Sequence, residues 1–190
     1  MSADTPQHAQ GPEVPVDTQD WTWVLSRTCP DCGLTSADFE PVQVADAATR
    51  IAAAFEGLLT SGSADLHRRP APGVWSPIEY AAHVAEVCQV FDRRLGLILI
   101  RVDPEFPDWD QNRAAVDGGY GSRAPRAVAE ELQHSAHALA VAIHAVPASE
   151  YERTGLRSDG TRFTVVTLLQ YALHDLVHHW WDVSGQRAIR

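Results

Sequence analysis

The chain has 190 residues, 45% of them apolar and 21% charged, which suits one globular domain with a sizeable core. Its formal charge of −10 argues against nucleic acid or an anionic membrane as a natural partner. No apolar run approaches the roughly 20 residues that span a bilayer, so no membrane association is expected. The N-terminus, Met1 to Asp20, is polar and Pro-containing and lacks the apolar core of a signal peptide; it reads as a flexible tail before one domain, residues 21–190. A cytoplasmic location is the default expectation, and three cysteines, an odd and sparse set, fit it.

Beyond the tail, Trp21 to Leu25 reads as extended and Cys29-Pro30-Asp31-Cys32-Gly33 as a turn. A first helix is expected from about Pro41 to Leu59, burying Ile51, Phe55 and Leu58 to Leu59, and Ser61-Gly62-Ser63 stops it. The second helix has the clearest start. Ser76-Pro77-Ile78-Glu79 combines an N-cap, a Pro at the first helical position and a Glu three residues after the cap. Tyr80, Val84, Val87, Phe91, Leu95 and Ile98 then recur at helical spacing, to about Arg101. Val102 to Ser122, with Pro104, Pro107 and Gly118-Gly119, reads as a long irregular connection of the kind that lines sites.

A third helix is expected from about Ala124 to Val146 on the stripe Val128, Leu132, Leu139, Ile143, Val146. Tyr151 to Phe163 reads as a short hairpin or an ordered loop. Thr164 can cap a fourth helix that ends near Val183, before Ser184-Gly185. Four amphipathic helices without a convincing set of strands read as an all-α four-helix bundle.

Most of the nine histidines read as solvated side chains. His134, His137 and His144 lie roughly 120° to 200° from the apolar stripe of the third helix; His8 falls in the tail and His67 in a loop. His83 differs, lying roughly 75° from the centre of its stripe, at the core boundary. His174 and His178 project from one face of the fourth helix, the way helices present paired imidazoles to a metal. They fall opposite Val165, Leu168, Ala172, Leu176 and Val183, which points to solvent. Val166, Leu169, Leu173, Val177, Trp180 and Trp181 make that helix apolar almost all round, which points instead to a cavity lined by Thr167, Tyr171, His174 and His178. Pattern alone leaves the two readings even.

Val74-Trp75-Ser76-Pro77-Ile78-Glu79-Tyr80-Ala81-Ala82-His83-Val84, then Trp109-Asp110-Gln111, then His174-Asp175-Leu176-Val177-His178-His179-Trp180-Trp181-Asp182 resemble the DinB superfamily over about Ala45 to Val183. That group includes bacillithiol transferases, mycothiol S-transferases and mycothiol-dependent maleylpyruvate isomerases. The resemblance implies a four-helix bundle of variant up-and-down topology. It also implies a metal triad of one His from the second helix and two from the fourth, here His83, His174 and His178, and so favours the cavity.

Three neutral imidazoles leave a divalent ion its full charge and open positions. Zinc is the first expectation and nickel the second. Such a cation lowers the pKa of a bound low-molecular-weight thiol, and thiolate is the species that attacks an electrophile. Metal-dependent S-transfer between a small-molecule thiol and an electrophile is therefore the leading reading. A thiol-dependent cis-trans isomerase, a metal-dependent hydrolase and a non-catalytic metal- or ligand-binding bundle are the alternatives. All 15 basic residues are Arg, a GC-rich signature that favours mycothiol over bacillithiol. Asp175 and Asp182 are candidates to orient an imidazole, with Asp175 pairing with His179 as the plainer role. Trp109, Asp110, Tyr120 and Tyr171 are candidate pocket and cofactor contacts. Trp180 and Trp181 are a candidate homodimer surface.

Cys29-x-x-Cys32-Gly has the shape of a zinc knuckle, but no second Cys pair completes four ligands. It reads first as a local turn, with a metal or redox role second. Cys88 reads as a buried small hydrophobe.

Overall fold

A computed structural model describes residues 20–62 and 65–188. Apart from Asp20, the tail read from sequence, with His8, lies outside the described residues. Among the described residues five α-helices form: α1 (Pro41–Leu59), α2 (Pro77–Ile100), α3 (Gln111–Asp117), α4 (Pro125–His144) and α5 (Val165–Ser184). α1, α2, α4 and α5 match the four read from periodicity and build the bundle. α1 and α2 each pack chiefly against α4 and α5, with only slight contact between themselves. Helices consecutive in the chain, α1 and α2, thus sit diagonally across the core. Among the described residues no helix is long and apolar enough to cross a membrane.

α1, α2 and α5 start at capping boxes whose side chains absorb orphan N–H groups of the first turn, whereas α4 starts on Pro125 without a side-chain cap. At α2, Glu79 accepts both the backbone N–H (2.8 Å) and the hydroxyl (2.7 Å) of Ser76. Burial alone would raise the Glu79 pKa; the Arg69 guanidinium, 2.9 Å away, and Ser76 outweigh it and hold the carboxylate charged. At α5, Thr164 and Thr167 exchange side-chain to backbone bonds of 3.1 and 2.8 Å. Gly185, at φ +64°, ends the helix.

Three sequence expectations change. Trp21–Leu25 is a 3₁₀ turn rather than extended, because Asp20 accepts the Thr22 N–H at 2.9 Å and caps it. The long connection is ordered: Asp110 caps α3 through the Arg113 N–H at 2.9 Å. Strands also exist. β2 (Thr154–Arg157) and β3 (Arg162–Thr164) form the anticipated hairpin, and β1 (Glu105–Phe106) from that connection pairs parallel to β2. This small sheet is stitched to the bundle where Arg153 donates to the carbonyls of Ile98 and Arg101, both at 2.8 Å.

At Gly155 the sheet lies tight against α2. A Cβ there would stand 2.7 Å from Phe106 and 2.8 Å from Ile98, both buried. Gly155→Ala is expected to cost about 1–3 kcal/mol by overpacking, read as a lower urea midpoint. An unchanged midpoint would mean that the sheet slides on α2 at no cost.

Trp180 stacks edge-on against Phe55 at 5.2 Å, and Trp181 packs on His178 at 5.9 Å, so both rings are engaged within the chain. His134, His137 and His144 are exposed, as their angular position predicts.

Candidate metal-binding cleft

One face of α5 and the loops opposite it enclose a cleft of about 710 Å³. Tyr171, His174, Asp175, His178, His179 and Asp182 line it from α5, and Trp75, Tyr80, Phe91 and Arg94 from α2 and its approach. Trp109 and Asp110 close it from the connection, Arg157 and Asp159 from the hairpin, and Asp20 and Trp21 from the 3₁₀ turn. The α5 stripe that pattern left undecided therefore faces a cavity.

The three histidines singled out from sequence do not gather at one point. His174 and His178, ring centroids 5.0 Å apart, converge with Cys29 and Cys32. One donor atom from each of these four lies within 4.8 Å of the others, a set able to hold a metal ion. Cys29 Sγ is 3.6 Å from His178 Nδ1. Both cysteines and His174 are buried. Burial pushes the Cys32 thiol up to about 12, and burial also pulls His174 down to about 3, with His178 adding to the fall. The Cys turn read from sequence as a local turn is thus part of a four-donor cluster. Its missing pair is supplied by imidazoles rather than by cysteines.

His83 lies elsewhere. It is fully buried, stacked on Trp109 at 5.1 Å and 7°, and meets Trp75 at 5.0 Å. The α5 imidazole it faces is His179, edge-on at 4.7 Å. His179 in turn shares a 3.0 Å hydrogen bond between Nδ1 and Asp182, which holds its ring in place. The imidazole that Asp182 contacts most closely is His179; its distance to His178 Nε2 is 3.7 Å. Neither nitrogen of His83 has a hydrogen-bond partner, nor has the buried indole N–H of Trp109. Buried polar atoms left this way cost free energy unless a ligand or ion meets them. Burial, then the unfavourable proximity of a second imidazole, His179, lowers the His83 pKa well below its ordinary value, so the ring is neutral and able to donate a lone pair.

The far end of the cleft carries charge. Arg94 and Arg157 are both buried. Arg94 lies over the rings of Phe91 (5.4 Å) and Phe106 (5.0 Å) and donates to the Pro107 carbonyl at 2.9 Å. Arg157 bonds Asp159 at 2.6 Å and lies 5.8 Å from the Tyr171 ring centroid. Burial works against its charge; Asp159 and Tyr171 outweigh that and raise its pKa. Tyr171 also packs between Phe91 and Phe163, so it is as much core as pocket. Tyr120 is buried beyond Trp75, its hydroxyl bonded to Glu86.

The structure is a helical bundle with imidazoles and carboxylates lining one cleft, and with a Cys/His cluster able to hold a metal ion built on the same helix. The chain belongs to the DinB superfamily, whose sequence profile matches residues 43–183. No curated protein matches it. Among solved structures it is similar to YfiT from Bacillus subtilis, described as a probable metal-dependent hydrolase with an unusual four-helix bundle topology. That likeness has a TM-score of 0.67 at 15% identity, over 76% of this chain and 84% of that one. It is similar also to the mycothiol-dependent maleylpyruvate isomerase, with a TM-score of 0.62 at 17% identity over 80% of this chain. It spans only 63% of the isomerase chain. At such identities both likenesses concern the fold.

Proposed function

We propose that this protein is a metal-dependent enzyme that transfers a low-molecular-weight thiol to a small electrophile in the α5 cleft. The observation that carries the reading is His83, neutral, buried and unpartnered on both nitrogens, facing an Asp182-anchored His179 behind a cleft with two buried arginines. His83 and His179 would hold a divalent ion. Asp175, which lines the cleft one helical turn before His179, would be the third donor. Neutral imidazoles with a carboxylate suit zinc first and nickel second. In this reading His179 and Asp175 take the places that the family resemblance gives to His178 and His174; the grouping of those two with Cys29 and Cys32 supports it.

Bound there, the metal supplies positive charge that favours thiolate over thiol near neutral pH. The protein does the rest. Arg94 and Arg157 offer cationic donors to the polar groups of the thiol or the electrophile. The Trp109 N–H is free to donate to either. Trp75, Trp109 and Tyr80 wall the site from bulk water. The new bond joins sulfur to the electrophilic carbon, and the leaving group departs with the bonding pair. Mycothiol fits as the thiol: the sequence has no Lys, a GC-rich signature, and a structural neighbour is described as mycothiol-dependent. A cytoplasmic setting goes with such a thiol.

The test is an assay of metal-loaded protein with a halogenated bimane as electrophile and mycothiol, bacillithiol or cysteine as thiol. Conjugation with mycothiol that chelation abolishes is the expected result. Hydrolysis of activated esters without thiol turnover would move the reading to a hydrolase. Retained metal without any turnover would move it to a binding protein.

A further inference from the structure

The Cys29/Cys32/His174/His178 cluster has no part in that chemistry, yet it is the only set of three or more donors among the described residues whose atoms lie this close. Its construction is that of a binding site. The Cys29 N–H donates to the Leu34 carbonyl at 2.8 Å, and the Gly33 N–H to the Cys29 carbonyl at 2.9 Å. Gly33 adopts φ +74°, a conformation that costs a residue with a Cβ, so the chain reverses within five residues and brings both thiols together. α5 answers with two imidazoles one turn apart, His174 and His178. Both nitrogens of His174 are buried without a hydrogen-bond partner. The Trp21 ring covers the two imidazoles at 5.7 and 5.5 Å, and Trp181 flanks His178 at 5.9 Å.

We infer that Cys29, Cys32, His174 and His178 form a closed, tetrahedral zinc site that fastens the N-terminal segment to α5. Two thiolates and two neutral imidazoles around a +2 ion sum to zero charge, so the assembly can be buried at low electrostatic cost. Four protein donors leave no open position, which makes the site structural. Its role follows from what it joins. Cys29 and His178 are 149 positions apart in the chain, and the segment so anchored carries Asp20 and Trp21, part of the cleft wall. Metal binding is thus coupled to the order of one side of the cleft. The inference stands apart from the reading of His83, His179 and Asp175, and either can fail alone.

The test counts zinc per chain by elemental mass spectrometry in the full-length wild type, in His83→Ala and in Cys29→Ser/Cys32→Ser. About one zinc that survives His83→Ala and is lost with both cysteines is the expected result. Cobalt(II) put in its place should give an intense near-ultraviolet thiolate-to-metal band, absent from the double variant. If that variant does not fold, the wild type is titrated with a mercurial, and one zinc should leave per two thiols consumed. Zinc content unaffected by loss of the cysteines, or no thiolate band in the cobalt-loaded wild type, would overturn the site. If this zinc is present and the thiol assay is silent, only the enzymatic reading falls.

Discussion

His179→Ala is expected to abolish metal-dependent thiol conjugation while leaving the fold intact. His179 is the α5 ring that faces His83, and it is half-buried at the cleft wall, so truncation removes a donor without emptying the core. Asp182→Asn gives the scale. It spares the ring but weakens the 3.0 Å contact that fixes His179, and outer partners of this kind typically change metal affinity or activity by roughly 10- to 100-fold. His179→Ala should exceed that, and His134→Ala, exposed on α4, should change nothing. The measurement is conjugation rate against free zinc concentration for all three. Asp182→Asn should shift the zinc dependence to higher concentration, and His179→Ala should show no saturable activity. Equal rates for His179→Ala and the wild type would remove His179 and His83 from the reaction.

That His83 meets His179 rather than His178 was not legible in the sequence. His174-x-x-x-His178 is a clean one-turn pair, and Asp175-x-x-x-His179 beside it is an equally good one, rotated by a single residue. Periodicity resolves a helix face to about one residue, or roughly 100°, and α5 is apolar nearly all round, so hydrophobicity could not choose between the pairs. What chooses is tertiary. The Cys29 turn occupies the sector that His174 and His178 face, and α2 brings His83 to the next sector. The Cys pair was visible, but its histidine partners stand about 145 residues downstream, and metal-ligand spacing is recognisable by eye only when both pairs are local. Joining a Cys-x-x-Cys turn to a distant His-x-x-x-His helix was the signal available.

The bundle itself was legible because its four long helices carry regular stripes with strong starts. Pro41, Ser76-Pro77, Pro125 and Thr164 lie at or next to observed helix starts. α3 and β1 were missed for the opposite reason. Seven and two residues long, they have no stripe, and they form because Asp110 caps one and β2 offers an edge to the other.

Metal-free protein is expected to lose stability steeply as pH falls from about 6.5. His83 and His174 are buried and neutral in the fold, with pKa values respectively well below the ordinary value and near 3, against 6.5 when unfolded. Below 6.5 the unfolded chain therefore binds more protons than the native one, so stability rises with pH through this window and is complete above it. Each imidazole contributes a slope of at most about 1.4 kcal/mol per pH unit until its folded pKa is reached. Carboxylates held low by partners, Asp159 by Arg157 first, act in the same direction but only below about pH 4, so the two classes separate. Urea midpoints of chelator-treated protein at several pH values between 7.5 and 4.5 measure the slope. His83→Phe fills the same apolar pocket between Trp75 and Trp109 with a ring that does not titrate, and it should remove one imidazole's share of the slope, leaving those of His174 and His178, whose pKa burial also lowers. A wild-type curve that is flat between pH 6.5 and 4.5 would mean that His83 and His174 take up protons in the fold, and the low-polarity pocket that makes them metal donors would have to be abandoned.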